Sequence, residues 1–164
     1  ALIQVLQKSD IFKWLSPTDL QTLTRIARQE TFEEGVTIVT ENSEAKDIYI
    51  IQEGKVAIEI QIPLGPHQPP RRLTIQTLGQ GESFGWSTLT ESPHYTGSVK
   101  CTEKARLVVI DGSALSRIIE EEPSLGLKVM KGAINVIASR LKNTRARLAS
   151  EWGLLMLHNQ EPRY

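Results

Sequence analysis

The residues with the clearest chemical potential lie in a glycine-rich segment near the middle of the chain. Residues 79–89 read GQGESFGWSTL, and residues 93–99 return as PHYTGSV. Glycines let a backbone approach a ligand closely, and a helical turn after Gly85 would direct its first N–H groups toward an anion. Thr96 and Ser98 would add hydroxyl donors. Alternatively, the glycines only permit tight turns at the corner of a barrel.

The sequence motifs that indicate an enzyme are not found. His67, His94 and His158 are too scattered to form an obvious metal site with Cys101, and no His-Glu-x-x-His, phosphate-loop or Gly-x-Ser-x-Gly motif occurs. The side chains of Glu120–Glu122 would point in different directions on a helix, so they are expected to be solvated. We therefore expect no catalytic residue, no metal site and no enzymatic activity.

The composition is that of an ordinary globular domain, and the length leaves room for one appended element. The 164 residues include 19 basic and 19 acidic side chains, so the net charge of zero gives no global reason to expect nucleic acid or anionic lipid as a partner. No apolar run approaches the roughly 20 residues of a membrane span, and no signal-peptide pattern appears. The single cysteine excludes an intrachain disulfide. We expect a cytoplasmic protein without a membrane partner.

The first part of the chain has the pattern of two short helices. Ser16 can accept from the free N–H groups of the next turn, Pro17 suits the first helical position, and Asp19 complements the helix dipole. Apolar residues then recur at helical spacing. This pattern predicts a helix from about Pro17 to Arg28.

From about residue 30 the apolar residues alternate, as in half-buried strands. The predicted strands cover residues 36–39, 47–51, 55–62, 73–78, 99–101 and 105–110. Four prolines make Pro63–Arg72 a predicted loop. Short strands with such turns favour an antiparallel sandwich or barrel.

After the strands, Asp111 is predicted to cap a short helix and Ser124 to open a long one. Apolar residues of the long helix step by three and four alternately, as in a coiled-coil seam, with one polar interruption. The seam consists of Leu127, Met130, Ile134, Ile137, Leu141, Thr144 and Leu148. Gly126 and Gly132 are expected to weaken the helix at its start.

Two interpretations of this seam are open. Either the helix packs on its own barrel, or the seam pairs with a second copy of the chain. The predicted dimer interface consists of Ile134, Ile137, Leu141 and Leu148. Six basic and no acidic residues lie between 124 and 150, so nucleic-acid binding by this helix is a further possibility. Only 16 residues follow Leu148, too few for a three-helix DNA-reading module, so direct DNA binding is not expected.

Four segments follow one another in an order that is typical of a known family. They are residues 11–23, 32–38 (FEEGVTI), 48–56 (IYIIQEGKV) and 79–85 (GQGESFG). Together they resemble the cyclic nucleotide-binding domain family, the sensor half of CRP/FNR-type regulators. The resemblance implies an α+β fold, in which N-terminal helices and a long C-terminal helix flank an antiparallel β jelly roll, a double-stranded β-helix barrel. Residues 1–150 would form this domain, including a dimerisation helix at 124–150. Residues 151–164 would be a short tail that docks or continues the helix.

The resemblance also implies that residues 79–98 form a phosphate-binding cassette, and two of its residues depart from the family pattern. After Phe-Gly the family usually places Glu, which holds the ribose hydroxyl, whereas this chain has Trp86. Where the family usually places Arg to pair with the cyclic phosphate, this chain has Tyr95. Loss of such a charge-assisted pair removes about 1.5–3 kcal/mol. Candidates for a substitute cation are His94, Arg71, Arg72 and Lys100.

The predicted ligand-binding residues are Gly85, Trp86, Ser87, Thr88, Tyr95, Thr96, Ser98 and Thr144. Thr144 is included because the family's base-contacting stretch aligns with residues 143–145. We expect a stand-alone regulatory domain that senses cAMP, cGMP or another small anionic ligand and signals as a homodimer through its C-terminal helix. The alternative is a ligand-free protein-interaction module in which Trp86 plugs a vestigial nucleotide pocket. No cofactor is expected apart from such a ligand.

Overall fold

The computed structural model describes residues 1–158 and begins with two helices, α1 (Leu2–Lys8) and α2 (Pro17–Thr24). The predicted start of α2 is confirmed as a capping box: Asp19 N donates to Ser16 Oγ at 3.2 Å, and Ser16 N donates to Asp19 Oδ2 at 3.1 Å. The predicted end at Arg28 is wrong. The chain leaves the helix at Thr24 because Ala27 and Arg28 already pair with residues 110 and 109, in a strand that is far along the chain.

Eight strands form two antiparallel four-stranded sheets, which confirms the predicted jelly-roll fold. The strands are β1 (Ala27–Phe32), β2 (Thr37–Val39), β3 (Asp47–Glu53), β4 (Val56–Ile62), β5 (Arg71–Leu78), β6 (Ser83–Phe84), β7 (Ser98–Cys101) and β8 (Ala105–Asp111). The sheet orders are β1-β8-β3-β6 and β2-β7-β4-β5. β5 begins inside the predicted loop because Arg71 and Arg72 pair with the end of β4, and the two-residue strand β6 was not predicted.

The central strands β3 and β8 are buried on both faces. Tyr49 and Ile51 of β3 face the core between the sheets, whereas Ile48 and Ile50 face a second core beneath the helices. β8 divides its side chains in the same way. A strand covered on both sides reads as a continuous apolar run, and this explains the unbroken hydrophobic segments of the sequence.

Two helices follow the sheets, α3 (Gly112–Glu121) and α4 (Pro123–His158). The predicted cap is confirmed, since Ala114 N donates to Asp111 Oδ1 at 2.7 Å. Helix α4 begins one residue before the predicted Ser124 and continues without a break through residues 151–158, the first part of the predicted tail. The rest of that tail, residues 159–164, lies outside the described residues. Among residues 1–158, no helix combines the length and apolarity that crossing a membrane requires.

The two glycines near the start of α4 lie where the helix approaches other backbone segments. A Cβ on Gly126 would lie 2.5 Å from the carbonyl oxygen of Ile119 in α3, and a Cβ on Gly132 would lie 2.1 Å from that of Ile11. An ion pair between Lys128 Nζ and Asp19 Oδ2, 2.8 Å long, joins α4 to α2 and lowers the pKa of Asp19. These glycines therefore permit close packing, which outweighs their low helix propensity.

The predicted seam of α4 lies on the face that points away from the domain. The helix packs on the core through a different set of residues: Leu125, Gly126, Val129, Gly132, Ala133 and Val136. By contrast, Ile134 is 61% exposed, Ile137 52%, Leu141 48% and Leu148 53%. The interpretation in which the seam packs on the chain's own barrel is therefore wrong.

The close approach of α4 predicts opposite effects for two glycine substitutions in that helix. Gly132→Ala should lower the free energy of unfolding by about 1–3 kcal/mol, because the added methyl group meets the Ile11 carbonyl. Gly153→Ala is the matched control, since nothing lies within 4 Å of its Cβ position, and alanine there should raise stability by up to about 1 kcal/mol. Urea denaturation followed by circular dichroism measures both, and equal stability of the two variants would contradict this packing.

Candidate functional site

The cassette turn is built on Gly85, which follows β6 directly. Its φ of 93° lies in the left-handed region, and a Cβ there would lie 2.5 Å from the carbonyl oxygen of Asp47. The chain then forms a single 3-10 turn, Trp86–Leu89, in which Thr88 Oγ1 donates to the Gly85 carbonyl at 2.7 Å. The glycine is thus required by the close approach of β3, and the Thr88 hydroxyl holds the turn together.

Trp86 occupies the first position of this turn and is partly buried. Its apolar contacts are with the core beneath the helices rather than with the core between the sheets. The indole Nε1 is buried, and no hydrogen-bond partner for it lies among residues 1–158. The Trp86 side chain therefore packs the turn against the helical side of the domain, and its buried indole N–H has no hydrogen-bond partner among the described residues.

Tyr95, in the position of the family's phosphate-binding Arg, is buried and turns its hydroxyl to the start of β3. The hydroxyl donates to the Asp47 carbonyl at 3.0 Å and accepts from the N–H groups of Lys46 and Asp47 at 3.3 and 3.2 Å. Burial raises the pKa of the Tyr49 hydroxyl well above its usual value, and the nearby Tyr95 adds to this increase. The Tyr95 hydroxyl is therefore committed to the backbone of its own chain.

Ser98 lies on the return strand next to two carboxylate residues. Its hydroxyl oxygen accepts from Glu41 N at 2.9 Å, and the residue is directly opposite Glu59 in the β4–β7 ladder. The Glu59 carboxylate is 4.0 Å from the guanidinium of Arg72. The Glu41 carboxylate accepts a hydrogen bond from Gln61 N at 3.0 Å. Two carboxylates and one guanidinium thus lie near the return strand.

Two other predicted ligand residues expose their side chains. Thr96 is exposed on the return segment, and Thr144 is exposed on α4 beyond the part packed on the core. Ser87 stays half-buried within the 3-10 turn, where its carbonyl accepts from Thr90 N at 3.1 Å. The structure therefore brings residues 85–88 together in one turn, whereas neither threonine hydroxyl forms a hydrogen bond with another described residue.

The candidate substitute cations lie away from the turn. Arg71 and Arg72 begin β5, and Lys100 pairs with Ala57 within the sheet. His94 is exposed, with its Nδ1 3.4 Å from Ser92 Oγ. Within residues 1–158 no hydrogen bond or ion pair joins any of these four side chains to residues 85–89.

A polar cluster that no sequence motif indicates lies where the chain after α1, β6 and α4 meet. Ser83 is fully buried, and its N–H and hydroxyl both donate to the Asp10 carboxylate. Arg140 of α4 donates through Nη2 to the Ser83 carbonyl, and the same nitrogen is 3.7 Å from Asp10 Oδ2. Burial lowers the pKa of Arg140, against the favourable charges of Asp10 and Glu82. Asp10 and Arg140 are distant in the sequence, and no motif joins them.

Two cavities open elsewhere on the surface. One, of about 720 Å³, lies between α1, the β3–β4 turn and residues 80–81. The other, of about 210 Å³, lies between residues 10–13, β5, Glu82 and α4, and Arg140 is part of its wall. Neither is lined by residues 85–98. Within residues 1–158, no three His, Cys, Asp or Glu side chains converge as a metal site would require.

A family model described as the cyclic nucleotide-binding domain matches residues 29–122, which is more than half of the chain. The match runs from β1 to the end of α3 and so includes both sheets and the cassette. Three of the four segments whose order suggested this family, at residues 32–38, 48–56 and 79–85, lie within the match, and the first, at residues 11–23, precedes it.

Individual relatives agree with the family match. A relative from Rhodopseudomonas palustris, whose name describes a candidate potassium channel protein, is 30% identical over 119 residues, covering 73% of this chain and 27% of its own. The CRP-like cAMP-activated global transcriptional regulator of Mycobacterium tuberculosis is 27% identical over 146 residues, covering 89% of this chain and 61% of its own. The chain therefore spans less than two thirds of the length of these curated relatives.

Solved structures show the same fold. A cyclic nucleotide-binding domain from Methylobacillus flagellatus superposes with a TM-score of 0.77 at 18% identity, covering 92% of this chain and 82% of that one. The catabolite activator protein of Thermus thermophilus superposes with a TM-score of 0.69 at 21% identity, covering 86% of this chain and 62% of that one. At these identities the likeness concerns the fold alone.

Proposed function

The chain belongs to the cyclic nucleotide-binding domain family, and we propose that it is a non-enzymatic regulatory domain that senses a small anionic ligand and signals through α4. One observation carries the proposal: α4 contacts β6 just before the cassette turn and leaves an apolar seam open on another face. Arg140 makes the first contact, at the Ser83 carbonyl, and Ile137 and Leu141 lie in the seam. One rigid helix therefore touches both the cassette and the proposed signalling surface.

The contact at β6 gives the cassette a physical route to the helix. Ser83 is two residues before Gly85, whose position is fixed against the Asp47 carbonyl. A ligand that shifts the turn would displace the Ser83 carbonyl and change its hydrogen bond with Arg140. A ligand shifts the equilibrium between two conformations only by the difference in its affinity for them. In this protein, that difference would act on α4 through the hydrogen bond between Arg140 and the Ser83 carbonyl.

Two observations bear on the ligand in opposite directions. The family match and the M. tuberculosis relative, which is named as cAMP-activated, favour a cyclic nucleotide. The cassette favours another small anion, because Tyr95 uses its hydroxyl internally and Trp86 braces the turn. Loss of a charge-assisted phosphate contact weakens binding by about 1.5–3 kcal/mol, roughly ten-fold or more. We therefore propose a ligand held by cassette amides and the exposed Thr96 hydroxyl, with cyclic nucleotides bound weakly.

Isothermal titration of the purified chain with cAMP and with cGMP tests this proposal. We expect no binding in the micromolar range, because Tyr95 offers no positive charge to a phosphate and its hydroxyl is already bonded to the backbone of residues 46 and 47. A saturable micromolar heat with either nucleotide would contradict the proposal that the cassette has changed its ligand. The double variant Trp86→Glu/Tyr95→Arg restores the family's residue types and should bind cAMP more tightly than the wild-type chain if those two positions set the preference.

The exposed seam of α4 supports a homodimer. Ile134, Ile137, Leu141 and Leu148 are all about half exposed or more and are spaced as in a two-stranded coiled coil. A stripe of this length on a helix that extends past the core is an unusual surface for a monomer. We propose that the seam pairs with the same seam of a second copy, so that both sensors act on one helical pair.

Two glutamates introduced into the seam should break this dimer. The variant Ile137→Glu/Leu141→Glu is expected to elute with a mass near the 18.3 kDa of one chain in light scattering, whereas the wild-type chain should show about twice that mass. Lys142→Glu/Ala146→Glu is the matched control, since it places two glutamates on exposed positions outside the seam. A monomeric wild-type chain, or a seam variant of unchanged mass, would overturn the dimer.

A ligand-free interaction module is the second candidate, and one observation favours it. Thr88, Tyr95 and Ser98 all direct their hydroxyl groups to backbone groups of the same domain. A cassette whose hydroxyl groups already have hydrogen-bond partners can act as a scaffold, while α4 recruits a partner protein. Thermal-shift screening distinguishes the two candidates, because a specific ligand raises the melting temperature and a pure scaffold responds to none.

Nucleic-acid binding through α4 is less well supported by the placement of its charges. Lys128 pairs with Asp19, Arg140 contacts Ser83 and Asp10, and Arg147 is 3.0 Å from Glu151. Half of the six basic residues are thus engaged within the chain, and the uniform positive stripe expected of a DNA-binding helix is not formed. We place the protein in the cytoplasm, in keeping with its single buried cysteine.

A further inference from the structure

The cavity of about 210 Å³ beside α4 has a wall unlike that of a hydrophobic pocket. Eight of its nine lining residues are polar or charged, and Val136 is the one apolar member. Both signs of charge are present, with Lys13 and Arg140 set against Asp10 and Glu82. The volume is that of about seven waters in the liquid, enough for a small polar molecule rather than a nucleotide.

Arg140 offers unused donors to this cavity. Its Nη2 donates to the Ser83 carbonyl and lies near Asp10, but no oxygen of residues 1–158 accepts from its Nε or Nη1. Both edges of a guanidinium that can bind a carboxylate through two N–H groups include Nη2, so the free Nε and Nη1 point in different directions and each can donate to a separate acceptor. The free Nη1 can therefore donate one charge-assisted hydrogen bond to a carboxylate. Burial of the positive charge increases the stabilisation that an incoming anion would provide.

Acceptors for a positive group are available on the same wall. Glu82 uses Oε2 to accept from Gly79 N at 2.8 Å, whereas Oε1 accepts from no donor among residues 1–158. The Asp10 carboxylate is already engaged by Ser83 and Arg140, so Glu82 is the better site for an ammonium group. Gln76, Asn135 and Ser139 add neutral groups that can both donate and accept.

From this arrangement we propose that the cavity is a binding site for a small zwitterion, a free α-amino acid. The carboxylate of the ligand accepts a charge-assisted hydrogen bond from Nη1 of Arg140, and its ammonium group faces Glu82. A polar ligand side chain suits the remaining wall, which carries three amides and one hydroxyl. This site does not use residues 85–98, so it stands whether or not those residues bind a ligand of their own.

The position of the site gives the ligand an effect on α4. Arg140 would join the ligand, the Ser83 carbonyl and Asp10 in one network that spans α4, β6 and the chain after α1. A bound amino acid should therefore hold α4 more firmly against the domain. Because the proposed cassette signal also passes through Ser83, the two ligands would be coupled at this point.

The test uses the purified chain and each standard L-amino acid as a separate probe at millimolar concentration. We expect at least one to raise the melting temperature and to give a saturable titration by calorimetry. The N-acetyl derivative and the primary amide of that same amino acid should have no effect, since each lacks one of the two charges. A screen in which no amino acid stabilises the protein, or in which the derivatives act equally well, overturns the proposal.

Three variants then locate the binding. Arg140→Gln should weaken it by about ten-fold or more, whereas Arg145→Gln, an exposed change on the same helix, should leave it unchanged. Ser139→Leu fills the cavity without removing any hydrogen bond formed by the described residues, so it covers the case in which Arg140→Gln loosens the fold. Wild-type affinity in a folded Ser139→Leu variant would place the ligand elsewhere and overturn the assignment.

Discussion

The close packing of α4 on the rest of the chain determines what the other parts of the molecule can do. Gly126 and Gly132 let the helix approach the carbonyls of Ile119 and Ile11, and this contact fixes the rotation of α4 about its own axis. That rotation directs Arg140 to β6 and leaves Ile137 in the open seam. A helix rotated by a third of a turn would bury the seam and lose the contact with β6. The proposed sensor and the proposed dimer therefore depend on the same two glycines.

The cassette turn is held in shape by its own packing and hydrogen bonds. Gly85 retains the left-handed turn because β3 lies too close for any side chain. Around that turn, apolar packing by Trp86 and the hydrogen bonds of Tyr95 hold the backbone without a charged residue. The turn can thus be ordered in the absence of a phosphate. This is the physical reason to expect a different ligand, or none, where relatives hold a cyclic nucleotide.

Much of the fold could be predicted because local patterns and tertiary structure agree. The capping box at Ser16, the cap at Asp111 and the alternation in β3 all depend on neighbours in the sequence. The end of α2 was predicted too late because Ala27 is drawn into a ladder with Ile110, a partner far along the chain. Asn42 has a φ of 66°, a left-handed turn conformation that asparagine tolerates better than most residues.

The candidate site could be predicted less well than the fold, because its contacts join residues that are distant in the sequence. The positions of the cassette residues followed from a motif, but the use of their hydroxyl groups depends on Asp47 and Glu41, which no motif connects to them. The Arg140 cluster joins three distant segments and has no local signature. Heptad spacing did identify the open face of α4, because a repeat within one helix needs no other part of the chain.

The most direct test of coupling between α4 and the cassette is hydrogen exchange in the Arg140→Gln variant, measured peptide by peptide against the wild-type chain. If Arg140 links the two, amides in residues 83–90 and in the second half of α4 should both exchange faster in the variant, while those of β3 and β8 stay unchanged. Faster exchange confined to α4, with residues 83–90 unaffected, would show that the helix and the cassette act independently and would contradict the account.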